Sequence, residues 1–212
     1  MRSKIAANSN DYKKEWFAKA LIDYFSPFLN LWLACNSWYN FHYSLTQDRD
    51  HVNTLKTDFG KKNKLYTTFQ HLYANGDSKD ERTFLSLLEL LNFSLNQADL
   101  KPAKFHVSKR LNLTCLLVDF SKKEDPNEYL DIVITNALTK TGVLKSNKSG
   151  IILSQNLVLS DDKEKVFAGL IELIYQVRCA LVHGELAPTP TNHEVVKYCY
   201  LVLYELMRGF CE

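Results

Sequence analysis

The sequence predicts an all-α fold: a helical bundle carrying a short β-hairpin or irregular insertion between its early and late helices. Three stretches carry that prediction. From about Asp162 to Val182 the apolar residues Val166, Leu170, Leu173, Ile174, Val177 and Leu181 recur at steps of three and four, which describes one buried helical face. A second apolar stretch runs from Ser26 to about Ser44, and a third from Asn192 to Phe210. At 212 residues the chain reads as a single domain, 1–212, long enough for a substantial core. Its parts are N-terminal helices over 10–98, an insertion over 99–160, and a motif helix with a final helix over 161–212.

Residues 1–9 are a polar tail. Asn10 or Asp11 caps a first helix with Trp16, Phe17, Ala20 and Leu21 on one face. Ser26-Pro27 opens the second helix, with proline at the first helical position. To about Ser44 this segment is apolar on most sides, so it is expected as the central buried helix, with Trp32, Trp38, Tyr39 and Phe41 as core rather than base-stacking residues. Asn36 within it is an amide that needs partners if buried, suited to bracing a loop or the motif helix. Residues 47–75 carry two shorter helices split near Gly60, the second ending at Asn75-Gly76. Lys61, Lys62 and Lys64 form the densest basic patch, while His42, His51 and His71 are scattered and read as surface or satisfied core. Ser78 with Glu81 three residues on resembles a capping box, opening a helix whose stripe is Phe84, Leu87, Leu88 and Leu91.

Lys101-Pro102 breaks that helix, and Asp125-Pro126 marks a turn or another helix start. Glu128 to Leu138 fits a helix through Leu130, Val133, Ile134, Ala137 and Leu138. A loop over 142–150 follows, then Ile151-Ile152-Leu153 and Leu157-Val158-Leu159 as a short hairpin. The insertion is suited to recognising RNA or a partner, or to covering the core. Ser160 or Asp161 caps the motif helix, and Gly184 suits the left-handed position past its last turn. Pro188 and Pro190 keep the next linker extended, and Thr191 or Asn192 caps the final helix. Its Val195, Val196, Cys199, Leu203, Leu206 and Phe210 face inward, with Tyr198, Tyr200 and Tyr204 in the core or an interface.

A formal charge of +2 confers no general affinity for polyanions, so any RNA binding must come from local patches. The five cysteines show no paired metal spacing, and three fall on helix faces expected to be buried. That pattern suggests reduced thiols in a cytoplasmic protein. The first residues lack the apolar run of a secretion signal, and no stretch of about 18 apolar residues exists, so a soluble, unexported protein without membrane contact is expected.

The chemistry concentrates in Tyr175-Gln176-Val177-Arg178-Cys179-Ala180-Leu181-Val182-His183-Gly184-Glu185. A neutral imidazole can take the proton from a ribose 2′-hydroxyl, and a forked guanidinium can hold phosphate oxygens as negative charge builds. No metal or cofactor is needed. In an ideal helix Arg178 and His183 lie about 7.5 Å apart along the axis and about 140° apart around it. They flank a face rather than stack, so a distorted last turn or a second copy of the helix is needed to complete one site. The pattern leans toward a homodimer.

This stretch resembles the signature of HEPN domains, an Arg followed after four to six residues by a His. The form with Tyr before and Gly after is similar to the Apea-like HEPN branch. Asn192-His193-Glu194-Val195-Val196 opens the next helix after a proline-containing loop, as in that family, and Leu31-Trp32-Leu33-Ala34-Cys35-Asn36-Ser37-Trp38-Tyr39 resembles its early helix. The match covers about 24–44 and 162–211. The resemblance implies a helical bundle that dimerises through its motif helices, and a metal-independent endoribonuclease of toxin–antitoxin, phage-defence or RNA-processing systems. Arg178 and His183 are then the catalytic pair, with Cys179, Glu185, Asn36, Tyr39 and Asn192 as supporting residues, and with RNA and a cognate antitoxin or defence protein as partners. Active members carry Asn, Asp or His after the Arg, where this chain has Cys179. That departure supports the alternative, a non-catalytic HEPN-like module that binds RNA, nucleotides or a partner.

Overall fold

The computed structural model of the chain describes residues 23–98, 100, 111–113, 116–117, 129–130 and 132–211. The expected first helix with Trp16 and Phe17 lies outside them, as do the breaks at Lys101-Pro102 and Asp125-Pro126. Among the described residues the chain forms helices α1 (Phe25–Tyr43), α2 (Asp48–Thr57), α3 (Lys64–Leu72), α4 (Lys79–Gln97), α5 (Lys163–Val182) and α6 (Pro190–Cys211). Two small antiparallel pairs separate α4 from α5: β1 (Leu116–Leu117) with β2 (Tyr129–Leu130), and β3 (Ile151–Ser154) with β4 (Leu157–Leu159). No described helix is long and apolar enough to cross a membrane.

The core forms between α5 and the helices around it. Helix α5 buries Val166, Phe167, Leu170, Ile171, Leu173, Ile174, Val177 and Ala180, which lie on most sides of the helix rather than on one stripe. Helix α6 packs along α4, α1 and α3, and α2 packs on α5. The central helix is therefore α5, not α1 as expected. Helix α1 buries Phe28, Trp32, Cys35 and Tyr39 at steps of three and four, and turns its other side outward. Phe41 is 91% exposed and Leu33 61%, so Phe41 is not a core residue.

Caps set several boundaries. Ser78 Oγ accepts from the Glu81 amide at 3.1 Å, and Glu81 Oε2 accepts from the Asp77 and Gly76 amides, closing the expected box one residue early. Asn63 caps α3 through the Tyr66 amide while its own side-chain amide donates to Leu55 and Asp58 carbonyls. The cap of α5 is Asp162, which accepts from the Lys165 amide at 3.0 Å, and not Ser160 or Asp161. Helix α6 starts at Pro190, whose missing N–H suits the first turn; Thr189 Oγ1 accepts from the Asn192 amide, so neither Thr191 nor Asn192 is the cap.

The expected hairpin at 151–159 is present, with Ile151 opposite Leu159. The expected helix over 128–138 is not. Leu130 lies in β2, Val133 bridges Leu159, and Leu138 bridges Leu144. The physical reason is local: Ile132, Val133, Ile134 and Thr135 are consecutive β-branched residues, stiff at χ1 and suited to extended backbone, and Asn136 takes a left-handed φ of 52° that ends any helical run.

One charge sits in the core. Glu172 is 1% exposed and accepts from Lys56 Nζ at 2.5 Å, Arg49 Nη1 at 2.8 Å and Gln176 Nε2 at 2.8 Å. Gln176 is one helical turn on, and the two cations come from α2. A carboxylate so deep is tolerated because its lone pairs are met by charged donors.

Candidate functional site

Arg178 lies in the last full turn of α5, and the sequence around it decides what it meets. The α1–α2 turn passes through Ser44 in the left-handed region (φ 51°) and reverses the chain, so the first residue of α2, Asp48, comes back against α1. There Asp48 Oδ1 accepts from the Tyr39 hydroxyl and from Asn36 Nδ2 at 3.2 Å, while Asp48 Oδ2 faces Arg178 Nη1 at 3.4 Å. Asn36 also accepts a hydrogen bond from Asn40 Nδ2. The Trp32 ring lies under the guanidinium, with 5.9 Å from Cζ to the ring centroid.

This arrangement gathers four of the residues singled out in the sequence. Arg178, Asn36 and Tyr39 meet at Asp48, and Cys179 Sγ lies 3.9 Å from Arg178 Nη1. Burial raises the Tyr39 hydroxyl well above its ordinary range, and its hydrogen bond to Asp48 adds to that. It therefore acts as a neutral donor that fixes the carboxylate. Cys179 is buried, and Tyr175, three residues earlier in chain order before Arg178, lies under the Arg49 guanidinium at 5.2 Å. Burial first, then Cys179, raises the Tyr175 hydroxyl.

His183 and Glu185 do not join this cluster. His183 is the C-cap of α5; its amide donates to Cys179 O at 3.0 Å, and its ring is exposed beside Val182, itself 51% exposed. Gly184 takes the expected left-handed φ of 70°, and the amides of Glu185 and Leu186 both donate to Ala180 O, which closes the helix end. Neither the His183 nor the Glu185 side chain bonds with a described residue. Asn192 holds the linker: its Nδ2 donates to Ala187 O at 2.8 Å. The imidazole of His193 accepts from the Tyr24 amide at 3.1 Å, tying the start of α1 to the first turn of α6.

Two participants were missed in the sequence. Asp48 is 130 residues from Arg178 and is marked only by the charged run Asp48-Arg49-Asp50 at a helix start. Glu172 is a lone charge flanked by Ile171 and Leu173, and that interruption of the apolar face was the available signal. His51 is buried, 1% exposed, with Nε2 2.8 Å from Leu45 O, while its Nδ1 has no hydrogen-bond partner among the described residues.

Chemically, the end of α5 presents a guanidinium clamped on one edge by a carboxylate and backed by an indole, and one turn further an imidazole open to water. Both Arg178 and Asp48 keep part of their surface, 20% and 30% of the side chain. Comparison with protein-family models, with curated proteins and with solved structures returned no match to this chain.

Proposed function

We propose that the chain is a HEPN-like, metal-independent endoribonuclease that acts as a homodimer in the cytoplasm, in a toxin–antitoxin or phage-defence setting. His183 takes the proton from a ribose 2′-hydroxyl, the freed oxygen attacks the adjacent phosphorus, and the 5′-oxygen of the next nucleotide leaves with a 2′,3′-cyclic phosphate behind. Arg178 holds the phosphate oxygens as charge develops, and Asp48, Asn36 and Tyr39 position Arg178. The observation that supports this reading best is the Asp48-centred anchoring of Arg178 at the same helix end that exposes His183. Because the two side chains leave the helix about 140° apart, the Arg of one copy works with the His of the other.

The test is incubation of labelled tRNA and mRNA pools with the pure protein in EDTA. Wild type should leave cyclic-phosphate ends, and Arg178→Ala should lower the rate by about 10²–10³-fold, as for loss of other transition-state donors. His183→Ala should abolish cleavage. Mixing the two inactive variants should restore about a quarter of wild-type activity, since half the dimers are mixed and each holds one intact composite site. Cleavage unchanged in either variant would refute the reading. A second reading is favoured by one observation, the buried Cys179 thiol beside Arg178 where active relatives of the resembled family carry a polar group. It makes the protein a binding module, with RNA bound and left intact.

A further inference from the structure

The chain's small net charge hides an uneven distribution. Between Asp131 and Asp161 there are three lysines, Lys140, Lys145 and Lys148, and no carboxylate. That stretch is net +3 against +2 for all 212 residues, so the rest of the chain is net −1. Lys140 and Lys148 are exposed and Lys145 half-buried, and none of the three pairs with a carboxylate among the described residues. The nearest acids that follow are engaged: Asp161 Oδ2 accepts from the Ser149 hydroxyl, and Asp162 caps α5.

The lysines stand on a defined frame. The Thr139 amide donates to Val143 O at 2.8 Å, Thr139 O accepts from the Gly142 amide at 3.0 Å, Ala137 O from the Lys145 amide at 2.9 Å, and Lys145 O from the Lys148 amide at 2.9 Å. Beside them the backbone of 133–139 and the β3–β4 turn enclose a hollow of about 450 Å³ whose polar side chains are Thr135, Asn136, Thr139, Gln155 and Asn156. That volume is in the range of pockets that enclose small organic groups. Amides and hydroxyls there offer both donors and acceptors, the equipment that reads the edge of an unstacked base, and the lysines supply charge for its phosphates.

From this juxtaposition we propose that the 133–160 lobe is a single-stranded RNA-binding site, in which Lys140, Lys145 and Lys148 hold the backbone and the Asn136–Gln155–Asn156 hollow receives a base. The inference rests on RNA being the ligand of the protein and adds where the strand is held. The lobe lies at the opposite end of α5 from the Arg178 turn: Asp162 to Arg178 is about 24 Å of helix. A stacked strand rising about 3.4 Å per nucleotide covers that in about seven nucleotides. The lobe thus selects RNAs longer than this, and the site at the other end cuts them.

The experiment uses the full chain with His183→Ala, so that binding is read without cleavage. A fluorescein-labelled, unstructured 20-nucleotide RNA is titrated by anisotropy from 50 to 300 mM KCl. Replacing Lys140, Lys145 and Lys148 together with Ala should weaken binding about tenfold or more at low salt and flatten the log–log salt slope by about 2, at roughly 0.7 per lost phosphate contact. The same replacement of Lys61, Lys62 and Lys64 should leave both unchanged. Five of the six are exposed and Lys145 is half-buried, and a thermal melt checks that each triple variant keeps its fold. Equal affinity and slope in the lobe variant, or an equal loss in the control variant, overturns the proposal; the former would turn attention to an acidic protein as the lobe's ligand. Cleavage by the wild-type chain is scored separately. A protein that binds through the lobe but never cuts refutes the nuclease and leaves the lobe standing. One that cuts a 20-mer and a dinucleotide alike, with or without the three lysines, does the reverse.

Discussion

Replacing Asp48 with Asn keeps the shape of the side chain and removes its charge, which isolates what the carboxylate does for Arg178 and Tyr39. At 3.4 Å the Arg178–Asp48 attraction is worth about 5 kcal/mol at an effective dielectric near 20 and about 1 in water. Both side chains keep a fifth to a third of their surface, so solvent screening brings the net loss near about 1 kcal/mol. The Tyr39 hydroxyl passes from a charged to a neutral acceptor, a loss of about 1–1.5 kcal/mol. Together Asp48→Asn should destabilise the fold by about 2–3 kcal/mol, which for a chain of this size lowers Tm by about 4–12 °C. The assay is urea unfolding followed by tryptophan fluorescence, since Trp32 lies against both Arg178 and the Tyr39 ring. Tyr39→Phe completes a double-mutant cycle, whose coupling should exceed about 1 kcal/mol. A change in stability below about 0.5 kcal/mol for Asp48→Asn, or a coupling near zero, would refute the view that this carboxylate holds the cluster together.

Three further outcomes follow from the same structure. Burial raises the thiols of Cys35 and Cys199 and the hydroxyls of Tyr39 and Tyr73, so these groups stay protonated in the fold while the unfolded chain ionises. Their contribution is complete below the unfolded pKa values, about 8.5 for thiols and 10 for phenols, and is lost above them at about 1.4 kcal/mol per pH unit for each group; a flat Tm between pH 7 and 10.5 would contradict this. Gly150→Ala should destabilise by about 1–3 kcal/mol in chemical denaturation, because a Cβ there would stand 2.5 Å from Leu159 O and 2.8 Å from Val158 Cγ1, so the β3–β4 pair must shift. Under the proposed ribonuclease reading, Cys179→Asn should raise the rate of RNA cleavage in EDTA by placing a polar group beside Arg178; a fall in rate would show that the thiol's close packing matters more.

How far the sequence foretold this molecule depended on whether a contact was local. The period of the motif helix survives, because Val166, Leu170, Leu173 and Val177 recur at steps of three and four and stay buried whatever else surrounds them. The Ser78–Glu81 cap and the Ile151–Leu159 hairpin are likewise settled within ten residues. The rank order of burial was not legible. Helix α1 has more aromatic residues than α5, yet α5 is enclosed because four other helices pack around it, which no count along α1 reveals. At 128–138 the positions of apolar residues fit a helix, but the run of β-branched side chains outweighed the period. At the site, Arg178, Asn36 and Tyr39 were named separately, while the group that joins them was not. Asp48 carries no local pattern, and its role exists only once α2 folds back on α1.

The hydrogen bond from the Lys145 amide to Ala137 O closes the base of the lobe's outer loop. Residues 138–144 beyond it share no hydrogen bond with the helices among the described residues, and Val143 at their tip is 62% exposed. Length and chemistry in that segment are therefore free to drift without disturbing the helices beneath. Such a loop is a natural place for sequence to change, or for a foreign segment to be grafted, while the Arg178 turn stays as it is.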